Sequence, residues 1–151
     1  SSTSRGLGDV YKRQTLKLPI EGNPVATNLG NPHCTFFVDD IKNINLRELG
    51  PQIENHVLFP MRTNVQIVEI VNKSKIKVQV WERGCGITLA SGSSACAAVV
   101  AGNRLGLIDN LVKVSLEGGE IEVYWKTNGV WLTGLTKFVF SGAVLRSALI
   151  Q

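Results

Sequence analysis

Short stretches in which apolar residues cluster or alternate with polar ones, separated by Gly, Pro and Asn, recur along most of this chain. Segments 15–20, 34–38, 64–71 and 75–82 are rich in Val, Ile, Phe and Thr and read as β-strands. Segments 113–116 and 120–125 flank Gly118-Gly119, a hairpin signal, and 130–133 and 137–140 follow as further strands. Two segments break the pattern. Residues 46–53 form a short candidate helix with Asn45 placed as its N-cap. Residues 93–105 (SSACAAVVAGNRL) are Ala-rich and apolar nearly all round, start among the hydroxyls of 91–94, and stop before Gly106, a natural C-cap. Such a helix belongs in a core, and its small residues let strands approach closely. The expected class is therefore α+β, with a mixed or antiparallel sheet curled into a barrel around a central buried helix.

The opening SSTSRGLGDVYKRQ fits neither period, and composition shifts at Thr15. Residues 1–14 are read as a non-native or disordered leader and left out of the fold. Composition adds little to the remainder: 44% hydrophobic and 19% charged residues suit one packed domain. Charge first suggests a nucleic-acid partner, since the formal net value is +4. Arg5, Lys12 and Arg13 against Asp9 place half of it in the leader, and the other basic residues are scattered among acids without an aromatic-studded stripe. No nucleic-acid partner is expected. No apolar run reaches the roughly 20 residues that span a bilayer, so no membrane partner is expected and the cytoplasm is the default location. Three cysteines without a CxxC pair argue against a disulfide framework, and no metal is expected.

Candidate chemistry lies where polar or strained residues interrupt apolar strands: at Gly30-Asn31-Pro32-His33-Cys34, at Arg62-Thr63-Asn64, and along WERGCGITLASGSSAC (81–96). The last runs from a strand end through a Gly-punctuated loop into the apolar helix. That arrangement leaves the N–H groups of Gly92, Ser93 and Ser94 without intrahelical acceptors at the positive end of a helix dipole. A helix terminus of this kind binds carboxylates. Glu82 and Arg83 are suited to the ammonium and carboxylate groups of a zwitterion. Together these features point to an amino-acid ligand.

In this order and spacing, GNPHCTFFVDD, FPMRTNV and VWERGCGITLASGSSACAA resemble the signature blocks of diaminopimelate epimerases, over roughly residues 18–145. The resemblance implies a diaminopimelate epimerase-like domain, the C-terminal half of an enzyme that interconverts LL- and meso-diaminopimelate without a cofactor. It implies a two-base mechanism in which each half supplies one cysteine and the substrate lies in the cleft between them. Asn31 and Asn64 match substrate-binding asparagines, and Glu82 and Arg83 match the pair that grips the distal ammonium and carboxylate. Gly92 and Ser93 match backbone donors to the reacting carboxylate. His33 and Glu82 match groups that tune the protonation of the cysteine pair. The implied partners are the small-molecule substrate, an N-terminal domain that this chain lacks, and a second subunit in a possible homodimer. On this reading 15–136 form the C-terminal epimerase domain, and 137–151 are a strand and tail that pack on the missing domain.

Two features depart from that pattern. The family pattern is Ala-Cys-Gly-Ser/Thr-Gly-Ala-Cys, whereas this chain reads Ala90-Ser91-Gly92-Ser93-Ser94-Ala95-Cys96. Ser91 therefore stands at the catalytic cysteine position, and a serine hydroxyl is a far weaker acid than a thiol of pKa about 8.5. Of the cysteines, Cys34 and Cys96 read as packing residues and Cys85 as the only substitute nucleophile. The second departure is length. The chain is expected to be inactive alone; a non-catalytic amino-acid-binding relative, or a racemase of another amino acid on the same fold, are the competing readings.

Overall fold

In the computed structural model, which describes residues 24–146, the alternation of one central strand sorts its side chains into two layers. That strand is β3 (Asn64–Asn72). Its Val65 and Ile67 pack with Cys34, Phe36, Leu46 and Ile53. Its Val68 packs instead with Val78, Val80, Ala95, Ala98 and Val99. A period of two thus gives the sheet two covered faces.

Among the described residues the sheet has eight strands: β1 (Val25–Asn28), β2 (Pro32–Val38), β3, β4 (Lys75–Glu82), β5 (Gly86–Thr88), β6 (Leu111–Leu116), β7 (Gly119–Lys126) and β8 (Gly129–Thr133). Their spatial order is β1-β2-β3-β4-β6-β7-β8, with β5 paired to the end of β4. The sheet is mixed, because β2–β3 and β4–β6 are parallel while the other pairs are antiparallel. Parallel neighbours need crossovers. A 3-10 turn (Ile41–Asn43) and α1 (Leu46–Glu54) supply the first, and α2 (Gly92–Arg104) lies in the second. Overall this is a curled mixed sheet with two helices.

Helix α2 buries Ser94, Ala95 and 97–102 and touches β1, β2, β3, β4, β7 and β8. Gly102 shows why small residues are required, since a Cβ there would press into Ile108. The helix ends as its glycine predicts: Gly106 adopts φ +72°, and the Leu107 N–H reaches back to the Gly102 carbonyl at 3.0 Å.

Several expectations need correction. Strands β1 and β5 were not anticipated, being only four and three residues long in turn-rich surroundings. Asn45 does precede α1, but its side chain makes no capping bond and reaches Glu48 Oε2 at 3.4 Å instead. Residues 137–140 form no strand; no neighbour offers them a ladder, and Phe138 and Phe140 are 82% and 80% exposed. The predicted strand at 15–20 and the leader at 1–14 lie outside the described residues. The sheet also carries helix α1 and its own apolar cluster opposite α2, so the expected picture of one helix wrapped by a barrel omits a layer.

Candidate functional site

The β1–β2 hairpin turns at Gly30, whose φ of +98° favours glycine, and Asn28 Oδ1 accepts the Gly30 N–H at 2.9 Å. This turn delivers Asn31 and His33 to the start of β2. In the parallel pairing of β2 with β3, His33 stands opposite Asn64. The Asn64 side chain then ties two segments together. Its Nδ2 donates to the Pro32 carbonyl at 2.9 Å, and its Oδ1 accepts the Arg83 N–H at 2.9 Å. Asn64 is 6% exposed, so most of its capacity goes to positioning the Asn31 turn against the corner after β4.

A second set of bonds runs inward. Asn31 Oδ1 lies 2.9 Å from His33 Nε2, and His33 Nδ1 lies 3.0 Å from Gln66 Nε2. Gln66 Nε2 also donates to Ser94 Oγ at 3.0 Å, and Gln66 Oε1 accepts from Thr35 Oγ1 at 3.1 Å. The Ser94 N–H reaches Ser91 Oγ at 3.4 Å. Asn31, His33 and Ser91 are therefore joined by hydrogen bonds through Gln66 and Ser94, Asn64 separately ties the Arg83 N–H to the Pro32 carbonyl, and the backbone of 31–33 connects the two sets. Burial, helped by the positive charge of Arg83, drives the His33 pKa down to about 4, so the ring is neutral near pH 7.

Ser91 is the N-cap of α2, with φ −148° and ψ 117°. Its carbonyl accepts the Ala95 N–H at 3.1 Å, while its hydroxyl covers Ser94. Gly92 and Ser93 lie in the first turn, where N–H groups have no intrahelical acceptor. Neither N–H has a partner among the described residues, and the dipole of such a terminus favours an anion. Leu132 of β8 crowds this turn, since a Cβ on Gly92 would approach its Cδ1 to 3.3 Å.

Glu82 ends β4, where it pairs with Gly86, and its carboxylate takes no hydrogen bond among the described residues. The Arg83 guanidinium rests on the Met61 carbonyl at 3.1 Å. The turn that follows is held from outside the predicted site. Glu54, 5% exposed, accepts the Gly84 N–H at 2.8 Å, the Trp81 indole at 2.6 Å and Arg62 at 3.1 Å. Arg62 does this from a positive φ of 59°, a conformation that costs a side-chain-bearing residue energy.

Burial pushes the Cys34 thiol up to about 12 and the Cys96 thiol to about 11, so neither supplies a thiolate near neutrality. Cys85 is exposed. Ser91 has no ring nitrogen or carboxylate on its hydroxyl among the described residues. A cavity of about 240 Å³ bordered by Asn45, Arg47, Gln79, Thr88 and Glu117 collects none of the predicted site residues.

Sequence reasoning missed Gln66, Thr35 and Glu54, and took Ser94 as a helix-terminus N–H and a departure from the family pattern without a role for its hydroxyl. A signal existed for two of them. Gln66 shares the period-two face of Val68, and Glu54 lies on the stripe of Leu46 and Gly50 at intervals of eight and four. A polar residue on an otherwise buried face needs a partner.

The family model for diaminopimelate epimerase matches residues 25–139. The chain is 50% identical to the diaminopimelate epimerase of Gloeothece citriformis over 119 residues, covering 78% of this chain and 42% of that one. Against the enzyme of Methylocella silvestris the identity is 46% over 124 residues, covering 81% of this chain and 43% of that one. A solved phenazine biosynthesis protein of the PhzF family from Bacillus anthracis overlays at a TM-score of 0.49 with 15% identity, over 68% of this chain and 33% of that one, a likeness too slight to build on. This chain thus spans a little under half the length of the curated relatives above. On the family match over most of its described length, the chain belongs to the diaminopimelate epimerase family.

Proposed function

We propose that this chain is the C-terminal half of a diaminopimelate epimerase, built to hold one side of the substrate while a complementary N-terminal half closes the other. The observation that carries this reading is the convergence, at the backbone of 31–33, of the bonds joining Asn31, His33 and Ser91 with those tying Asn64 to the Arg83 N–H, beside N–H groups of Gly92 and Ser93 that have no partner among the described residues. In the proposed complex those two N–H groups receive the reacting carboxylate, and the helix dipole stabilises charge as the α-carbon loses its proton. Asn31 and Asn64 bind the substrate, while Glu82 and Arg83 grip its distal ammonium and carboxylate. His33, with Glu82, tunes the protonation of the two bases. Proton removal and return come from opposite faces without a cofactor. Residues 137–151 pack on the complementary half, the complete enzyme forms a homodimer, and the reaction belongs to cytoplasmic lysine and peptidoglycan precursor synthesis.

Ser91 makes the chain inactive in this role. Its hydroxyl is a hydrogen-bonded cap with no base beside it among the described residues. A fusion to the N-terminal half of the Gloeothece citriformis enzyme tests the point by deuterium uptake at the α-carbon of diaminopimelate in D₂O. The expected result is negligible exchange with Ser91 and a rise of about 10²–10⁴-fold for Ser91→Cys, the range a positioned acid or base contributes. Equal rates for the two would sink the assignment of position 91.

One specific observation favours a second reading. Because Ser91 caps α2 well and every matched binding residue is kept, the chain also suits a non-catalytic amino-acid-binding relative. Diaminopimelate binding by the fusion without exchange in the Ser91→Cys form would establish that reading instead. A racemase of another amino acid on this fold is less well supported, because Arg83 with Asn31 and Asn64 suits a distal carboxylate.

A further inference from the structure

Gln66 matches no motif, yet it is fully buried and uses nearly all of its side-chain hydrogen-bonding capacity. Its Nε2 serves both His33 Nδ1 and Ser94 Oγ at 3.0 Å, and its Oε1 accepts from Thr35. An amide nitrogen can only donate. His33 Nδ1 is therefore the bare, accepting nitrogen, and the proton of the neutral ring sits on Nε2. From Nε2 that proton goes to Asn31 Oδ1, 2.9 Å away. With its oxygen engaged, Asn31 has an amide nitrogen that donates to no partner among the described residues.

We propose that Gln66 is a positioning residue that holds His33 in the Nε2–H tautomer and thereby sets Asn31 as a donor toward a carboxylate-bearing ligand. Burial and the charge of Arg83 keep the His33 ring neutral near pH 7, so one of its two nitrogens is bare. Ser94 completes the clamp. The family pattern has glycine at this position, but here a fully buried hydroxyl receives the second Gln66 hydrogen. That bond gives the second amide hydrogen an acceptor, while the Thr35 hydroxyl donates to the carboxamide oxygen. The same serine donates its N–H to Ser91, so the clamp reaches the first turn of α2. The ligand clause rests on the amino-acid-binding function proposed above; the tautomer clause does not.

The chain has two histidines, His33 and His56, so long-range ¹H–¹⁵N NMR of the imidazoles can be read on the full chain. For His33 the expected pattern is a protonated Nε2 and an unprotonated Nδ1, and a protonated Nδ1 in the unaltered chain would overturn the proposal. Gln66→Glu replaces the donor with an acceptor and is expected to move the proton to Nδ1 or to charge the ring; an unchanged Nε2–H ring in that folded variant also overturns it. Ser94→Gly keeps the Gln66 amide and is expected to keep the Nε2–H form, whereas a reversed tautomer there would assign the clamp to Ser94 and reject Gln66. Should Gln66→Glu not fold, the unaltered chain and Ser94→Gly still decide the matter. None of these readouts needs substrate. An inactive Ser91→Cys fusion with an Nε2–H His33 would refute the epimerase reading and leave the clamp standing.

Discussion

His33 shows how a single buried side chain can set the pH response of the protein. Its folded pKa of about 4 lies below the ordinary 6.5, so between those values the unfolded chain binds more protons than the folded one. Stability from this group is complete above pH 6.5 and is lost as pH falls toward 4, by an amount on the order of 3 kcal/mol. Urea unfolding at pH 7 and pH 4.5 should show this loss, and His33→Gln should flatten the difference; an unchanged slope in His33→Gln would show that other groups carry it. The polar residues at this scale were unequally legible. Asn31, His33, Asn64 and Arg83 stand in recognisable blocks. Gln66 lies just past the second block and Thr35 passes unnoticed within the first, because their work depends on which strand face meets α2, and one strand read alone does not reveal that partner. Ser91 was legible as a missing thiol, but its service as a cap is visible only once α2 begins at Gly92.

At the scale of elements, α1 anchors the turn that presents Arg83. Gly50 allows this, since a Cβ there would run into the Trp81 ring. The same indole donates to Glu54, which also holds the Gly84 N–H. Gly50→Ala should therefore weaken the fold by about 1–3 kcal/mol, the usual cost of overpacking. Chemical denaturation followed by tryptophan fluorescence would measure it, and a wild-type midpoint would mean that α1 does not seat on Trp81 as described. Elements with strong periodicity were the readable ones. The α2 helix and strands β3 and β4 were recovered to within a residue or two. The four residues of β1 are too few to establish a period, and β5 hides among glycines that also read as loop. The stretch 137–140 is unpaired for a different reason: KFVF has strand-forming residues, but strand formation needs a neighbour as well as composition.

At the scale of the whole molecule, apolar surface is concentrated after β8. Leu135, Phe138, Val139, Phe140, Val144 and Leu145 are each at least 69% exposed, an arrangement rare in a protein that stays monomeric. The isolated chain is expected to self-associate, and a Phe138→Ser, Phe140→Ser double variant to do so less. Sedimentation velocity across a concentration series would reveal this, and a monodisperse monomer of the unaltered chain at high concentration would refute it. The parallel register of β2 and β3 has a different kind of consequence, one of timing. His33 and Gln66 are 33 residues apart, and Pro32 and Asn64 are 32 apart. No local nucleus can assemble these bonds, because a loop of that span must close first, and long-range pairings of this sort slow the search for the native state. The polar clamp accordingly exists only where β2 has met β3 in this register, since His33 and Gln66 are brought together by that pairing.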